Sequence, residues 1–251
     1  LERDKGFSYR TLLGELLYAY VTLLGELLYA YVVCRIGIGY AVTTLSKFAS
    51  APAAVHYHLL KNVTKYLRAT ASWGLWFRRS APDPTLPPDP FIPLLHDDSL
   101  PPFPPSDPYL TGYVDAAHAN DLRNRRSTMG YAFVKSGAAV AFKSKTQTTT
   151  ATSSTEAEFI AAVAASKTAI YLRSILTDLG FPPSSPTPLF EDNEAAIKII
   201  NNDHPTDRVR HLEIQHFAIQ DWKKNGHITL RHIKGVLNPS LSLIHISEPT
   251  R

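Results

Sequence analysis

The chain has 251 residues, a net charge of +4 and a pI of about 9.1, with 44% hydrophobic and 19% charged residues. This composition allows one large domain, or one domain with a partial second one, and the mild positive charge suits a polyanionic partner without indicating one by itself. The single cysteine, Cys34, excludes an internal disulfide and a cysteine-based zinc site, and it fits a reducing compartment.

The first predicted element is a helix in the apolar stretch 12–33. Two carboxylates, Glu15 and Glu26, interrupt the stretch, and carboxylates are unfavourable in lipid. We therefore expect a partly buried helix of a soluble protein and no membrane partner. The chain begins at Leu1 rather than Met, which indicates a fragment.

An identical repeat of eleven residues, TLLGELLYAYV, occupies 11–21 and 22–32. Eleven residues make almost three whole helical turns, so both copies should bury nearly the same face. Two copies are too few for a solenoid, and a recent duplication or an assembly error is the favoured interpretation.

Further along the N-terminal part, residues 53–69 have helical periodicity, and the aromatic segment 72–77 (SWGLWF) is typical of a short strand. A proline-rich linker at 80–108 should support neither a helix nor a central strand. The predicted domains are therefore a partial helical segment (1–79), this linker, a C-terminal domain (109–240) and an atypical tail (241–251).

The C-terminal domain has the predicted order β-β-β-α-β-α-α-β, which indicates an α/β fold with a mixed sheet and flanking helices. The predicted strands are Tyr109–Asp115, Gly130–Val134, Ala138–Lys143, Leu189–Glu191 and His227–Ile233, and the predicted helices are Ser153–Leu179, Asn193–Asn201 and Leu212–Asn225. The long helix begins with Ser-x-x-Glu, the pattern of a capping box.

Three acids occupy positions that this order could bring together: Asp115 and Asp192 at strand ends, and Glu158 in the first turns of the long helix. Clustered carboxylates repel one another unless a cation neutralises them, and oxygen ligands favour Mg²⁺ or Mn²⁺. Two such ions could support hydrolysis of a phosphodiester. Taken alone, an Asp at a strand end is more often a turn residue or a helix cap than a metal ligand. Glu156 is a rival to Glu158, but the capping box accounts for it, and the two point about 200° apart around the helix.

Basic residues flank these acids in the sequence. Arg123, Arg125 and Arg126 follow the first strand, and Arg210 and His211 precede the last helix. Contact with phosphates and a solvated turn are both open interpretations of the arginines. Lys143, together with Lys145, would extend a basic groove from the hairpin, whereas His216 is expected to be a packing residue.

Four motifs in this order, RRSTMGY (125–131), SSTEAE (153–158), EDN (191–193) and HLEIQHF (211–217), resemble the RNase H domain of copia-type retrotransposon Pol proteins. The N-terminal segments YRTLLGELLYA (9–19) and LSKFASAPAAVHYHLLKNVTKYLRAT (45–70) are similar to the connection between reverse transcriptase and RNase H in that family.

The resemblance implies an RNase H-like fold, a five-stranded mixed sheet preceded by a small helical reverse-transcriptase connection. It also implies a metal-dependent hydrolase that uses two Mg²⁺ ions (or Mn²⁺) on RNA–DNA hybrids, with Asp115, Glu158 and Asp192 as catalytic and metal-binding residues. The expected partners are the hybrid and the rest of the Pol polyprotein, including its reverse transcriptase. The expected location is intracellular, in a cytoplasmic virus-like particle or the nucleus.

The chain departs from the family pattern at two acidic positions. The family's fourth acid follows Asn-Pro-Ser, where this chain has Leu241, and an acid near the first aspartate is replaced in Asp115-Ala116-Ala117-His118. These departures predict weakened activity. The alternative function is a catalytically inactive RNase H-fold module that binds nucleic acid or serves a structural role; a transposase or integrase core of the same fold is a third, less favoured interpretation.

Overall fold

The computed structural model describes residues 9–75, 77, 110–121, 123–202 and 212–244, without the side chains of 9–13. The chain divides into two compact units between Gly74 and Leu75. The proline-rich segment 80–108 lies outside the described residues, and the predicted domain boundaries stay predictions.

The described residues of the N-terminal unit form three helices. These are α1 (Tyr9–Val33), α2 (Gly39–Ser46) and α3 (Ala54–Ala69), with a 3₁₀ turn at Ile36–Ile38. The two tyrosines that occupy equivalent positions in the repeat, Tyr20 and Tyr31, are both buried. The Tyr20 hydroxyl donates a hydrogen bond of 2.9 Å to the Leu45 carbonyl in α2. The two copies therefore bury the equivalent tyrosines, as the eleven-residue spacing predicts, although Leu16 of the first copy is exposed and its counterpart Leu27 is buried.

The strand predicted at 72–77 is wrong, because the described residues 72–75 and 77 form no strand. The Trp73 amide instead donates a hydrogen bond of 3.0 Å to the Thr70 carbonyl, which forms a turn. Arg35 fixes that turn by donating hydrogen bonds of 2.9 Å to the carbonyls of Thr70 and Trp73. Aromatic residues favour a strand only where a neighbouring strand pairs with them, and the Trp73 side chain is 60% exposed here.

The C-terminal unit contains one five-stranded mixed sheet in the described residues. Its strands are β1 (Thr111–Ala117), β2 (Thr128–Lys135), β3 (Ala138–Thr146), β4 (Thr187–Glu191) and β5 (Ile228–His232). Their order across the sheet is β3-β2-β1-β4-β5. The first three strands are antiparallel, whereas β4 pairs in parallel with both β1 and β5. This arrangement confirms the predicted fold class.

Three helices cover one face of the sheet. They are α4 (Ser154–Asp178), α5 (Glu194–Asn201) and α6 (Glu213–Lys224). Apolar side chains of β1 and β4, including Val114 and Leu189, pack with α4 residues such as Phe159 and Ala162 in the main core. The alternate strand positions face the other side, where Tyr113 and Phe190 pack with Ile233 and Leu237. The strands are therefore buried on both faces.

The second face is covered by the C-terminal end of the described chain. A 3₁₀ turn at Gly235–Leu237 leads into a short helix, α7 (Leu241–Ile244). Leu243 and Ile244 are buried, so residues 241–244 are part of the folded unit although the family resemblance ends before them. Burial requires apolar side chains at suitable positions, and these residues supply them.

Two helices, Gly14–Val33 and Ser154–Asp178, are long and apolar enough to span a membrane by length and composition. The second is α4, and its residues Ala161, Ala162 and Ala165 are fully buried in the core of the sheet unit.

Candidate active site

Two of the predicted acids meet because β4 ends beside β1, the strand with which it pairs in parallel. Tyr113 of β1 pairs with Phe190 of β4, and their rings stack with centroids 5.5 Å apart. Asp115 lies two residues farther along β1, and Asp192 follows directly after the end of β4 at Glu191. Since side chains alternate along a strand, Asp115 lies on the same face as the stacked rings, and Asp192 lies at the same edge of the sheet.

Glu158 reaches this edge from the start of α4. The helix begins as predicted, with Ser153 Oγ accepting a hydrogen bond of 3.1 Å from the Glu156 amide. Glu156 Oε2 in turn accepts hydrogen bonds from the amide and hydroxyl of Thr152, at 2.8 and 2.6 Å. Glu156 therefore serves the helix start, and Glu158 faces the acids. One carboxylate oxygen each from Asp115, Glu158 and Asp192 lies within 4.8 Å of the others.

A fourth acid, Glu191, lies in the same cluster and is missed by the sequence reasoning. It is the last residue of β4 and is completely buried. Its Oε1 accepts a hydrogen bond of 3.3 Å from the Asn193 amide, and its carboxyl interacts electrostatically with that of Glu158. The available signal was the Glu-Asp pair in FEDN (190–193), which places two adjacent acids at one strand end.

Burial and mutual repulsion raise the proton affinity of these carboxyls. Burial, and then the charge of Asp192, raise the pKa of Asp115 to about 7, although the Ala116 amide donates to Asp115 Oδ1 at 2.8 Å. Burial, followed by the charges of Asp115 and Asp192, raises the pKa of Glu158 to about 9. Burial and then Glu158 raise the pKa of Glu191 well above its ordinary value. The cluster therefore opposes ionisation of its own members.

The donor set fits a hard divalent cation. Asp115 Oδ2, Glu158 Oε2 and Glu191 Oε2 are buried and have no hydrogen-bond partner among the described residues. Buried carboxylate oxygens without donors are unfavourable unless they are protonated or bind a cation. Three converging carboxylates are ligands of the kind that Mg²⁺ and Mn²⁺ prefer.

The basic residues predicted to contact nucleic acid are only partly brought to this edge. Arg123, Arg125 and Arg126 are exposed in the turn that follows β1, at the end of the strand that carries Asp115. Arg210 and His211 lie outside the described residues. His216, expected to be a packing residue, is buried with its Nε2 3.2 Å from the Ile199 carbonyl.

Lys143 lies on the sheet face opposite to Asp115. It pairs with Tyr131, whereas Asp115 pairs with Gly130 on the same strand, β2. Neighbouring residues of one strand point to opposite faces, so Lys143 and Asp115 face opposite sides of the sheet. Lys143 is exposed on β3, an edge strand.

No family model matches the chain. Among curated proteins, the chain is 31% identical over 233 residues to the retrovirus-related Pol polyprotein from transposon TNT 1-94 of Nicotiana tabacum, a match over 92% of this chain and 15% of that protein. The Pol polyprotein from transposon RE2 of Arabidopsis thaliana is 26% identical over 90% of this chain and 13% of its own length. The secreted RxLR effector protein 161 of Plasmopara viticola is 36% identical over 56% of this chain and 81% of that protein.

Among solved structures, the chain is similar to RNase H1 from the halophilic archaeon Halobacterium salinarum, with 18% identity, a TM-score of 0.39 and coverage of 54% of this chain and 93% of that one. The curated Pol relatives match about nine tenths of this chain, which spans a small part of their length. The chain is thus similar to retrotransposon Pol polyproteins over about nine tenths of its length, and its sheet unit has the five-stranded mixed topology expected of an RNase H-like fold.

Proposed function

We propose that the sheet unit is a metal-dependent endonuclease that hydrolyses the RNA strand of RNA–DNA hybrids during reverse transcription of a retrotransposon. The observation that supports this most directly is the approach of Asp115, Glu158 and Asp192 to within 4.8 Å at one edge of the sheet. Similarity to retrotransposon Pol polyproteins over about nine tenths of the chain supports the substrate class and a partner within the polyprotein. The same similarity supports an intracellular location, in a virus-like particle or the nucleus.

In this proposal Asp115, Glu158 and Asp192 hold two Mg²⁺ ions, or Mn²⁺ in their place. When bound, such ions polarise an attacking water and stabilise the leaving oxygen of the phosphodiester. The protein keeps Asp115 and Glu158 buried, at 4% and 6% exposure, which excludes bulk water and strengthens their electrostatic interactions. Because both carboxyls have raised pKa values, they release protons when a cation binds, and affinity for the cation should rise with pH.

The hybrid would approach along the turn that follows β1. Arg123, Arg125 and Arg126 are exposed there, in the turn that follows the strand carrying Asp115, and Arg123 lies 4.0 Å from the Asp121 carboxylate. Guanidinium groups can bind phosphate oxygens with two hydrogen bonds, so these residues would fix the position of the substrate backbone. We assign weaker, sequence-independent contacts to Lys143 on the edge strand and to Arg210 and His211.

Cleavage of a labelled RNA–DNA hybrid in Mg²⁺ and in Mn²⁺ tests the proposal. We expect cleavage of the RNA strand by this chain and a loss of about 100-fold or more in Asp192→Asn, because one charged ligand is removed. Asp178→Asn is the matched control: Asp178 ends α4 and is exposed, away from the cluster, so cleavage should persist.

The alternative is an inactive module that binds nucleic acid. It is favoured by Leu241, an apolar residue at the start of α7 where the family has an acid. In that case the chain and Asp192→Asn should be equally inert, while hybrid binding still weakens with salt and on replacing Arg123 by Ala.

A further inference from the structure

The end of the described chain crosses the sheet face that carries the aspartates. We call residues 235–244 the C-terminal strap. Asn238 Nδ2 donates a hydrogen bond of 2.7 Å to the carbonyl of Val114, the residue before Asp115. At its far end, Ser144 Oγ on β3 donates to the Leu243 carbonyl at 2.5 Å. The strap is therefore anchored to the first and the third strand.

A close approach at Gly130 brings the strap next to Asp115. Gly130 is the partner of Asp115 across β1 and β2, and paired residues share a face of the sheet. A Cβ atom at position 130 would lie 2.8 Å from both Leu243 Cβ and Ile244 Cγ2. Glycine at this position lets the strap lie directly on the sheet beside the acid.

A second glycine lets the strap close against Asp192. A Cβ atom at Gly235 would lie 2.8 Å from Asp192 Oδ2. Asp192 is the one partly exposed member of the trio, and its carboxylate accepts no hydrogen bond from any described residue. Its direction is therefore set by what it packs against and by repulsion from its acidic neighbours.

We propose that Gly235 is a positioning residue for Asp192: lacking a side chain, it leaves the space in which the Asp192 carboxylate turns toward Asp115 and Glu158. This inference rests on the proposed metal site. A methyl group at position 235 would push Oδ2 away, and a ligand displaced by a few tenths of an ångström binds a divalent cation less well. The rest of the strap, anchored through Asn238 and Leu243, prevents Gly235 from moving aside.

The test is Mn²⁺ binding to the full chain, measured by electron paramagnetic resonance of free Mn²⁺. Gly235→Ala should weaken Mn²⁺ affinity about tenfold, the effect typical of a residue that orients a metal ligand. Gly74→Ala is the matched control, because a Cβ there meets nothing within 4 Å, and it should bind like the parent. In an Asp192→Asn background, Gly235→Ala should have no further effect.

Two binding results would overturn the inference: parental affinity in Gly235→Ala, or an equal loss in the Asp192→Asn background, which would indicate a general disturbance. If Gly235→Ala lowers the melting temperature, adding Asp192→Ala must restore it, because the methyl group at position 235 then has space. If the double variant does not regain the parent's melting temperature, the inference is wrong. A parent that binds no Mn²⁺ refutes both proposals. A parent that binds Mn²⁺ but cuts no hybrid refutes the proposed function alone.

Discussion

Replacing Asp115 by Asn should stabilise the metal-free protein. Asp115 is 4% exposed, and burial with the nearby Asp192 raises its pKa from 3.8 to about 7. This rise corresponds to about 4 kcal/mol of unfavourable free energy once the carboxyl is ionised in both the folded and the unfolded state. Asn keeps the shape and can still accept the Ala116 amide, so we expect the free energy of unfolding to increase by about 2–4 kcal/mol at pH 8.

The pH dependence of stability is a separate test of whether Asp115→Asn is stabilising. The folded state holds the Asp115 proton more tightly than the unfolded chain does, so this group leaves stability unaffected below pH 3.8. As the pH rises from 3.8 toward 7, the free energy of unfolding of the parent falls progressively, because the unfolded chain releases this proton before the folded state does. The advantage of Asp115→Asn should therefore be close to zero at pH 3.5 and largest at pH 8.

Urea unfolding in EDTA provides the measurement, with the fluorescence of Trp222 in α6 as the probe and the other two tryptophans replaced by Phe. Added Mn²⁺ should reverse the order of stability, because the parent gains a bound cation that the variant holds less well. An Asp115→Asn variant that is less stable than the parent at pH 8 in EDTA would refute the reasoning. It would mean that the carboxylate is stabilised by interactions within the protein and has no need of a cation.

Two further substitutions test the helices around the site. Leu241→Asp should raise the rate of hybrid cleavage above that of the uncharged control Leu241→Asn. An acid in the first turn of α7 is tolerated and adds negative charge beside β1. Equal cleavage rates in the two variants would show that this position contributes nothing. Ser153→Ala should lower the free energy of unfolding by about 1 kcal/mol through loss of the α4 cap, while the exposed Ser174→Ala should leave it unchanged within error.

The order of elements and the position of the three acids could be predicted from the sequence because each depends on local chemistry. The Ser-x-x-Glu pattern fixes the start of α4 and so assigns Glu156 to the helix cap and Glu158 to the cluster. Apolar runs that end in Asp indicate the correct edge of the sheet, because parallel strands bring such ends together, although β1 continues two residues beyond Asp115 to Ala117. The aromatic segment at 72–77 shows the limit of this reasoning, because its residues have strand propensity but no strand to pair with.

Glu191 and the C-terminal strap could not be predicted in the same way, because both depend on which elements are neighbours. Because side chains alternate along β4, Glu191 is expected on the face opposite to Asp192. Glu191 nevertheless joins the cluster, because α4 lies on that face and brings Glu158 close to Glu191. The strap reaches Asp192 because β5 lies beside β4, so the chain that leaves β5 at Ile233 passes directly over the end of β4. Sequence periodicity assigns faces within one element and says nothing of the element packed against that face. This site is assembled from four separate segments. Sequence reasoning therefore predicts only those of its residues that lie near the end of their own strand or the start of their own helix.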